Sequence, residues 1–276
     1  MNKEVLNILV TFDTNYIEPF KTMFTSLIVN NPNERFQIWL LHSAISKENL
    51  NYLEEYCNKR EVLLSPIQVD RTLFKDAPIS KQYPQEMYYR LLAPQLLPET
   101  LNKVLYLDPD ILILNSVRPL WDIELGDYSF AAASHSGIFG IMNTVNRVRL
   151  NTDHDYFNSG VMLMDLKKAR KLVKPSEVFT CVNEHEVELL LPDQDVFNYL
   201  YGKDTLQVED EIWNYDARYY KEYLLRSNGS CDLDWIMQNT VVLHFCGKKK
   251  PWKSSFPSRF ASLYKHYMQM GIREDN

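Results

Sequence analysis

The chain has 276 residues, of which 45% are apolar and 24% are charged, a composition typical of a globular protein with a sizeable core. Its formal charge of −6 argues against a general nucleic-acid-binding protein. No apolar run is long enough to span a membrane, and Glu4 and Asp13 flank the first apolar stretch, unlike a secretory signal peptide. We therefore expect a cytoplasmic protein.

Cysteines and glycines exclude several kinds of site. The four cysteines form no C-x-x-C pair, which predicts reduced, mostly buried thiols; they are Cys57, Cys181, Cys231 and Cys246. The first of the eight glycines is Gly126, so no G-x-G-x-x-G follows the first apolar stretch. If the chain binds a nucleotide, something other than a glycine-rich loop must balance the phosphate charge.

The first part of the chain alternates strand-like and helix-like patterns. Buried strands are predicted at residues 5–12, 36–42, 61–69 and 103–108. Helices are predicted at residues 17–30, 47–57 and 84–98, the second of them after an N-cap at Ser46. This alternation predicts an α/β fold with a mostly parallel sheet covered by helices on both faces.

The second part is less regular. Strands are predicted at 128–134, 156–166 and 240–245, and a short helix at 193–202. Residues 209–235 show no clear periodicity, and the aromatic side chains there either stack on sugars or belong to the core; they include Trp213, Tyr215, Tyr219 and Tyr220.

The C-terminal residues 258–276 predict one amphipathic helix, and its inward-facing side chains are expected to be Phe260, Leu263, Tyr264 and Tyr267. No repeat or linker interrupts the chain. We therefore predict a single domain over residues 1–276.

Two aspartates separated by Pro109 follow the strand that ends at Leu107. Asp108 and Asp110 can be an ordinary strand-end turn, because aspartate and proline are common there. In an extended chain they would instead point the same way, as two hard oxygen ligands for a divalent cation. The motif alone does not decide between the two.

A second segment, "HFCGKKKPWK" at residues 244–253, joins a histidine to a run of lysines. His244 can be a core residue at a strand end, and the lysines can be a solvated run. Together they would supply an imidazole ligand and ammonium groups suited to a metal-bound diphosphate.

Three further segments carry polar residues beside predicted strands or helices. Asn158 can be a turn residue or can bind sugar hydroxyls. Asp193 and Asp195 can stabilise a helix N-terminus or line a site. Asp13 and Asn15 follow the first strand, where Asp13 can cap the next helix or accept a hydrogen bond from a nucleoside.

The ordered set of segments resembles the retaining glycosyltransferases of family eight, which include bacterial lipopolysaccharide galactosyl- and glucosyltransferases and, more distantly, glycogenin. The matching stretches lie between residues 11 and 252, in the family's order: "TFDTNY", "YYRLLAPQLLP", "KVLYLDPDILIL", "PLWD", "YFNSGVMLMDL", "PDQDVFN" and "HFCGKKKPW". The resemblance implies a GT-A type fold. It further implies a nucleotide-binding half at 1–115, a donor-sugar and acceptor half at 116–255 and a C-terminal helix at 256–276.

The resemblance also implies roles for particular residues. The implied ligands of Mn²⁺, or alternatively Mg²⁺, are Asp108, Asp110 and His244. The implied contacts to the nucleotide of a UDP-sugar are Thr11, Asp13, Asn15, Tyr16, Pro109, Gly247 and Lys250, with Tyr16 stacking on uracil. The implied donor-sugar residues are Arg90, Asn158, Asp193 and Gln194, of which Asp193 and Gln194 are the implied catalytic residues.

The activity that the resemblance implies is transfer of a hexose from a UDP-sugar to a saccharide or glycolipid acceptor with retention, in surface glycan or lipopolysaccharide-type synthesis. An amide is a poor nucleophile, so Gln194 favours same-face substitution over double displacement. Where the family often has an acidic residue, the chain has Ser134, His135 and Ser136, which leaves galactose and glucose both open. Membrane contact is expected to be at most peripheral, at the inner face.

Two alternatives remain at this point. Haloacid dehalogenase-like phosphatases also place a D-x-D motif after an apolar strand, although usually on their first strand, and that function would leave residues 244–252 unexplained. The other alternative is a catalytically inactive domain that binds nucleotide sugars. The presence of Asp108, Asp110 and His244 argues against it.

Overall fold

A computed structural model describes residues 4–74, 85–134, 140–185, 189–253 and 256–275. In this part of the chain the strands are β1 Val5–Thr11, β2 Arg35–His42, β3 Leu63–Gln68, β4 Lys103–Leu107, β5 Ile111–Ile113, β6 Phe130–Ser134, β7 Phe157–Asp165, β8 Thr205–Val208, β9 Tyr215–Asp216 and β10 Val242–His244. His135 and Ser136, which bear on the choice of donor sugar, lie outside the described residues.

The helices of the same ranges surround two sheets. They are α1 Ile17–Asn30, α2 Lys47–Asn58, α3 Tyr89–Leu96, α4 Arg118–Trp121, α5 Gly140–Leu150, α6 Leu166–Leu172, α7 Pro175–Glu184, α8 Pro192–Tyr201, α9 Asp210–Trp213, α10 Tyr220–Arg226, α11 Leu233–Asn239 and α12 Ala261–Asp275. None of these helices combines the length and the apolar character needed to cross a lipid bilayer.

The large sheet has the strand order β3-β2-β1-β4-β7-β6-β8. The strands from β3 to β4 are parallel, whereas β7 runs antiparallel to both of its neighbours. The predicted α/β fold with a mostly parallel sheet is confirmed. Because β7 is reversed, its first residues lie beside the carboxyl end of β4.

A small sheet, ordered β5-β10-β9, adjoins this edge. Strand β5 begins directly after Asp110 and pairs antiparallel with β10, so that Ile111 lies opposite His244. The pairing brings together two segments that are far apart in the sequence.

The core lies on both faces of the large sheet. Alternate residues of β1 face opposite ways: Ile8 packs with α1 and α2, and Leu9 packs with α3 and α8. The C-terminal helix packs on the small sheet through Tyr264 and Tyr267, as predicted, although Leu263 is only partly buried.

Several elements were not predicted. Residues 209–235 contain α9, β9 and α10 and the start of α11, which are too short to produce a clear period. Helices α5, α6 and α7 were also missed. Two of them carry start signals: Asp165 caps α6 by accepting a hydrogen bond from Lys168 N at 3.1 Å, and Pro175 is the first residue of α7.

Asp195 anchors the start of α8. Its carboxylate is fully buried and forms ion pairs with Arg149 at 2.6 and 2.8 Å. It also accepts hydrogen bonds from the Tyr156 hydroxyl at 2.5 Å and from the backbone N–H groups of Leu190 and Leu191 at 2.7 and 3.0 Å. This network fixes the N-terminus of the helix that carries Asp193 and Gln194.

We expect Asp195→Ala to lower the free energy of unfolding by about 3–5 kcal/mol, because it removes the buried partner of a charged side chain and of two backbone donors. Urea denaturation would measure the loss. The matched control is Asp153→Ala, which breaks an exposed pair with Lys203 at 3.1 Å and should change stability little. Equal effects of the two substitutions would contradict the anchoring role.

Candidate active site

Two carboxylates and an imidazole meet at the carboxyl end of β4. Ligand atoms of Asp108, Asp110 and His244 all lie within 4.8 Å of one another. The Nε2 atom of His244 is 3.7 Å from Asp108 Oδ2 and 3.3 Å from Asp110 Oδ1. Such oxygen and nitrogen donors suit Mn²⁺ or Mg²⁺, so this cluster could hold a divalent cation.

The local geometry of the motif differs from the expectation of an extended chain. Pro109 and Asp110 form a turn, and this turn brings the two carboxylates together. The strand pairing then adds the imidazole: Phe245 N donates to the carbonyl of Asp110 at 3.1 Å, next to the pair of Ile111 and His244. The strand-end turn and the candidate cation site therefore occupy the same segment.

Lys250 returns to the same cluster from the segment that follows β10. Its ammonium group forms an ion pair with Asp110 and donates to the carbonyl of Phe245 at 3.0 Å. Burial opposes ionisation of Asp110, but Lys250 and His244 outweigh burial and hold the pKa of this carboxyl well below its usual range. Asp110 is therefore ionised at neutral pH.

Arg90 connects the cluster to the N-terminus of α8. Its guanidinium pairs with Asp108 Oδ1 at 2.9 Å and with Asp193 Oδ2 at 3.3 Å. It also donates to the carbonyl of Ser159 at 3.1 Å, and the Ser159 hydroxyl donates to Asp193 at 3.1 Å. Burial raises the pKa of Asp193, partly offset by Arg90. The Asp193 carboxylate thus has its ion-pair and hydrogen-bond partners within the protein.

Tyr106, a buried residue of β4, contacts Asp108 through its hydroxyl group. Its hydroxyl donates to Asp108 Oδ1 at 2.5 Å and lies 3.2 Å from the Thr11 hydroxyl. Arg90 lies over its ring, with Cζ 4.5 Å from the centroid. The Thr11 side chain is thus buried behind Asp108.

Asn158, near the start of β7, and Gln194, in the first turn of α8, contact each other through their side chains. The Asn158 amide donates to Gln194 Oε1 at 3.1 Å. The Asn158 oxygen accepts from Gly160 N at 2.9 Å and from Asn214 Nδ2 at 2.8 Å. Both side chains remain partly exposed, so they could also contact a ligand.

Asn214 was missed by the sequence analysis, although it touches two of the predicted site residues. It is fully buried, and its Oδ1 accepts from His244 Nδ1 at 2.9 Å. This hydrogen bond places a proton on Nδ1 and turns Nε2 toward Asp108 and Asp110, where Nε2 could bind a cation once it has lost its proton. Asn214 lies in the stretch without periodicity, which gave no signal for it.

The residues after β1 lie beside the cluster. Asp13 caps a 3-10 turn at 14–16 by accepting a hydrogen bond from Asn15 N at 2.9 Å, and it also accepts from the Asn15 amide at 2.9 Å. The Tyr16 ring meets Trp252 edge to face, with centroids 5.7 Å apart. Burial, with Asp110 nearby, raises the pKa of Tyr16 to about 12, which keeps its ring neutral.

Two glycines are required where backbone and side chains approach closely. A Cβ on Gly160 would lie 2.4 Å from His244 Cε1 and 2.7 Å from Asp108 Oδ2. Gly247 has a φ of +84°, a conformation that favours glycine, and it lies against Arg218. Gly247 lets the chain turn between His244 and Lys250.

The structure therefore brings Asp108, Asp110, His244, Lys250 and Arg90 into one cluster. Asp193, Gln194 and Asn158 adjoin it through the contacts of Arg90, Ser159 and Asn214. Tyr16 lies close enough to the charges of Asp110 and Lys250 for its pKa to respond to both.

Comparisons with known proteins bear on the family of this chain. The model of the family described as "Glycosyl transferase family 8" matches residues 7–255. General stress protein A of Bacillus subtilis (strain 168) is 30% identical over 273 residues, covering 96% of this chain and 93% of that protein. A lipopolysaccharide 1,2-glucosyltransferase of Escherichia coli is 25% identical over 253 residues, covering 91% and 74% of the two chains.

The fold is also similar to solved structures. A crystal structure of the galactosyltransferase LgtC, in complex with donor and acceptor sugar analogues, superimposes with a TM-score of 0.82 at 23% identity and 96% coverage of both chains. This likeness confirms the predicted GT-A type fold. Since the family model spans nearly the whole chain and one relative is 30% identical over almost its full length, the chain belongs to glycosyl transferase family 8.

Proposed function

We propose that this glycosyltransferase is metal-dependent and moves a hexose from a UDP-sugar to a saccharide acceptor with retention of configuration. The observation that carries the proposal is the convergence of Asp108, Asp110 and His244, with Lys250 paired to the same carboxylate. A diphosphate carries the charge that such a cluster, once it holds a cation, would attract.

The residues present fit Mn²⁺ or Mg²⁺. Two carboxylates and an imidazole whose Nε2 faces them form a mixed oxygen and nitrogen donor set, and the close fit of Gly160 leaves no room for a larger side chain. A bound cation would supply Lewis-acid stabilisation of the leaving diphosphate. Lys250 would add its positive charge to the same phosphates by turning from Asp110 toward them.

The nucleoside is proposed to lie over the residues that follow β1. A neutral, partly exposed Tyr16 ring, held by Trp252, would stack on uracil. Asp13 and Asn15 would contact the uridine, and Thr11 would contribute through its backbone because its hydroxyl pairs with Tyr106. Pro109 would shape the turn beneath the phosphates, and Gly247 would allow the phosphate-contacting segment to bend.

The donor sugar is proposed to lie between the cluster and the N-terminus of α8. Arg90, Asn158 and Gln194 would hold and orient its hydroxyl groups, and Asp193 would fix Arg90 and balance positive charge on the sugar. Because Arg90 and Ser159 already engage the Asp193 carboxylate, it is poorly placed to attack the anomeric carbon. This favours same-face substitution, in which the departing phosphate takes the acceptor's proton.

The donor hexose is proposed to be glucose or galactose, in line with relatives described as lipopolysaccharide glucosyl- and galactosyltransferases. By the same argument the pathway is proposed to be surface glycan synthesis, with any membrane contact peripheral and at the cytoplasmic face. Measuring UDP release from UDP-glucose and UDP-galactose with Mn²⁺ present would identify the donor. Phosphate release from aryl phosphates, without UDP release from either donor, would instead support the phosphatase alternative.

We expect Asp110→Ala to weaken Mn²⁺-dependent UDP binding by about 100-fold, because it removes one cation ligand and the partner of Lys250. Isothermal titration calorimetry with and without Mn²⁺ would measure the change. The matched control is Asp127→Ala, an exposed aspartate away from the cluster, which should leave UDP affinity unchanged. UDP affinity that is the same in Asp110→Ala and the parent protein would refute the metal-bridged site.

We expect Asn214→Ala to lower Mn²⁺ affinity by about 10–100-fold, because His244 would lose the acceptor that fixes its tautomer and ring orientation. Manganese electron paramagnetic resonance titration would report it. Asn214→Asp, which keeps the acceptor oxygen, should retain more affinity than the alanine variant. The exposed Asn239→Ala serves as control, and an Asn214→Ala protein with parental affinity would exclude the positioning role.

We expect Gln194→Ala to lower kcat by about 10-fold or more while leaving the Kd for UDP unchanged, because the amide faces the sugar rather than the nucleotide. Steady-state transfer assays combined with calorimetry would separate the two constants. A change in UDP affinity with unaltered kcat would place Gln194 outside the reacting centre.

A further inference from the structure

The segment that joins His244 to Lys250 also forms part of the wall of a cavity of about 670 Å³. Its other walls come from the start of α10 and from the residues before α12. A volume of this size suits a ligand of one or two sugar rings. The described residues that line it include Arg218, Tyr219, Tyr220, Lys221, Lys248 and Arg259.

The charge of this cavity is opposite to that of the whole protein. Lys221, Lys248 and Lys249 are exposed, and in the parts of the chain that the structure describes no carboxylate pairs with them. Glu222 is the one carboxylate among the described lining residues. A positive cavity on a chain with a formal charge of −6 attracts anions in preference to neutral molecules.

Aromatic faces accompany the positive charges. The guanidinium of Arg259 lies over the Tyr220 ring, with Cζ 3.6 Å from the centroid. Arg218 is held by Asp216 through hydrogen bonds from Nε at 2.9 and 3.1 Å, and its Cζ lies 4.9 Å from the Tyr219 centroid. Arg259 therefore combines a donor fork for anionic oxygens with the apolar face of a neighbouring tyrosine, whereas the Arg218 fork is engaged by Asp216.

We propose that this cavity is an anion subsite of the acceptor site and that the acceptor is a saccharide bearing a phosphate group. The inference rests on the proposed glycosyl transfer and names the class of its acceptor. The phosphate would contact Arg259 and the lysines, and the sugar ring would lie on the tyrosines. Because segment 246–249 lines this cavity and also joins His244 to Lys250, a sugar bound in the cavity would lie with a hydroxyl group toward the donor.

The test uses the full chain saturated with UDP and Mn²⁺, so that phosphate cannot bind at the donor site. Calorimetry would compare glucose 6-phosphate with glucose. We expect glucose 6-phosphate to bind at least about 10-fold more tightly, since hydrogen bonds to a charged group exceed those to a neutral one, and the difference should shrink as KCl is added.

Variants then locate the binding. The double variant Lys221→Gln, Arg259→Gln should weaken glucose 6-phosphate binding by about 10-fold, and Arg259→Lys should weaken it less. The matched control is Lys253→Gln, an exposed lysine of the same loop that does not line the cavity. It should change nothing. Equal affinity for glucose and glucose 6-phosphate, or equal losses in the double variant and the control, would overturn the proposal.

A second arm distinguishes a soluble from a lipid-borne phosphate. Vesicles of phosphatidylcholine with and without phosphatidylglycerol would be sedimented with parent and double-variant proteins. Binding to the anionic vesicles that the double variant loses would assign the phosphate to a lipid headgroup, and no such binding would assign it to a soluble saccharide. Failure of UDP and Mn²⁺ to bind at all would refute the proposed function itself.

Discussion

The antiparallel pairing of β5 with β10 is the constraint on which the site depends. It places His244 opposite Ile111 and so next to Asp110, although the two residues are far apart in the sequence. The large sheet makes the complementary contribution, because the reversal of β7 brings Asn158 and Ser159 beside the end of β4. Neither arrangement would follow from an entirely parallel sheet.

Charge balance explains how the two carboxylates of the cluster can lie close together. Burial would favour protonation of Asp110, but Lys250 and His244 compensate its charge, while Arg90 pairs with Asp108. Lys250 and Arg90 are also the groups proposed to meet the diphosphate and the sugar, respectively. Before the donor binds, carboxylates of the protein hold these cations in place. The cations would then change partner from carboxylate to substrate, so that little reorganisation of the site is needed during the reaction.

Sequence patterns were sufficient to predict the helices and strands of the first part of the fold. Strong periodicity located α1 and the first four strands, and the capping residue Ser46 marked the start of α2. The aspartates and His244 were identified because their residue types suit cation binding. Their positions as one ordered set came from the family resemblance, since no single motif was specific.

Other features could not be read from sequence. Asn214 owes its role to contacts with Asn158 and His244, which depend on the pairing of β9 with β10. The contacts of Arg90 and Ser159 with the Asp193 carboxylate likewise depend on the tertiary structure and leave no pattern in the sequence. The cavity beside Gly247 is built from three separate segments whose aromatic and charged residues show no period.

Anomalous diffraction at the manganese edge, from crystals grown with UDP and MnCl₂, would locate the cation and the diphosphate together. We expect one strong peak between Asp108, Asp110 and His244, with both phosphates against it and the Lys250 ammonium moved from Asp110 to a phosphate oxygen. A peak elsewhere, or UDP bound with its phosphates away from these residues, would refute the metal-bridged site.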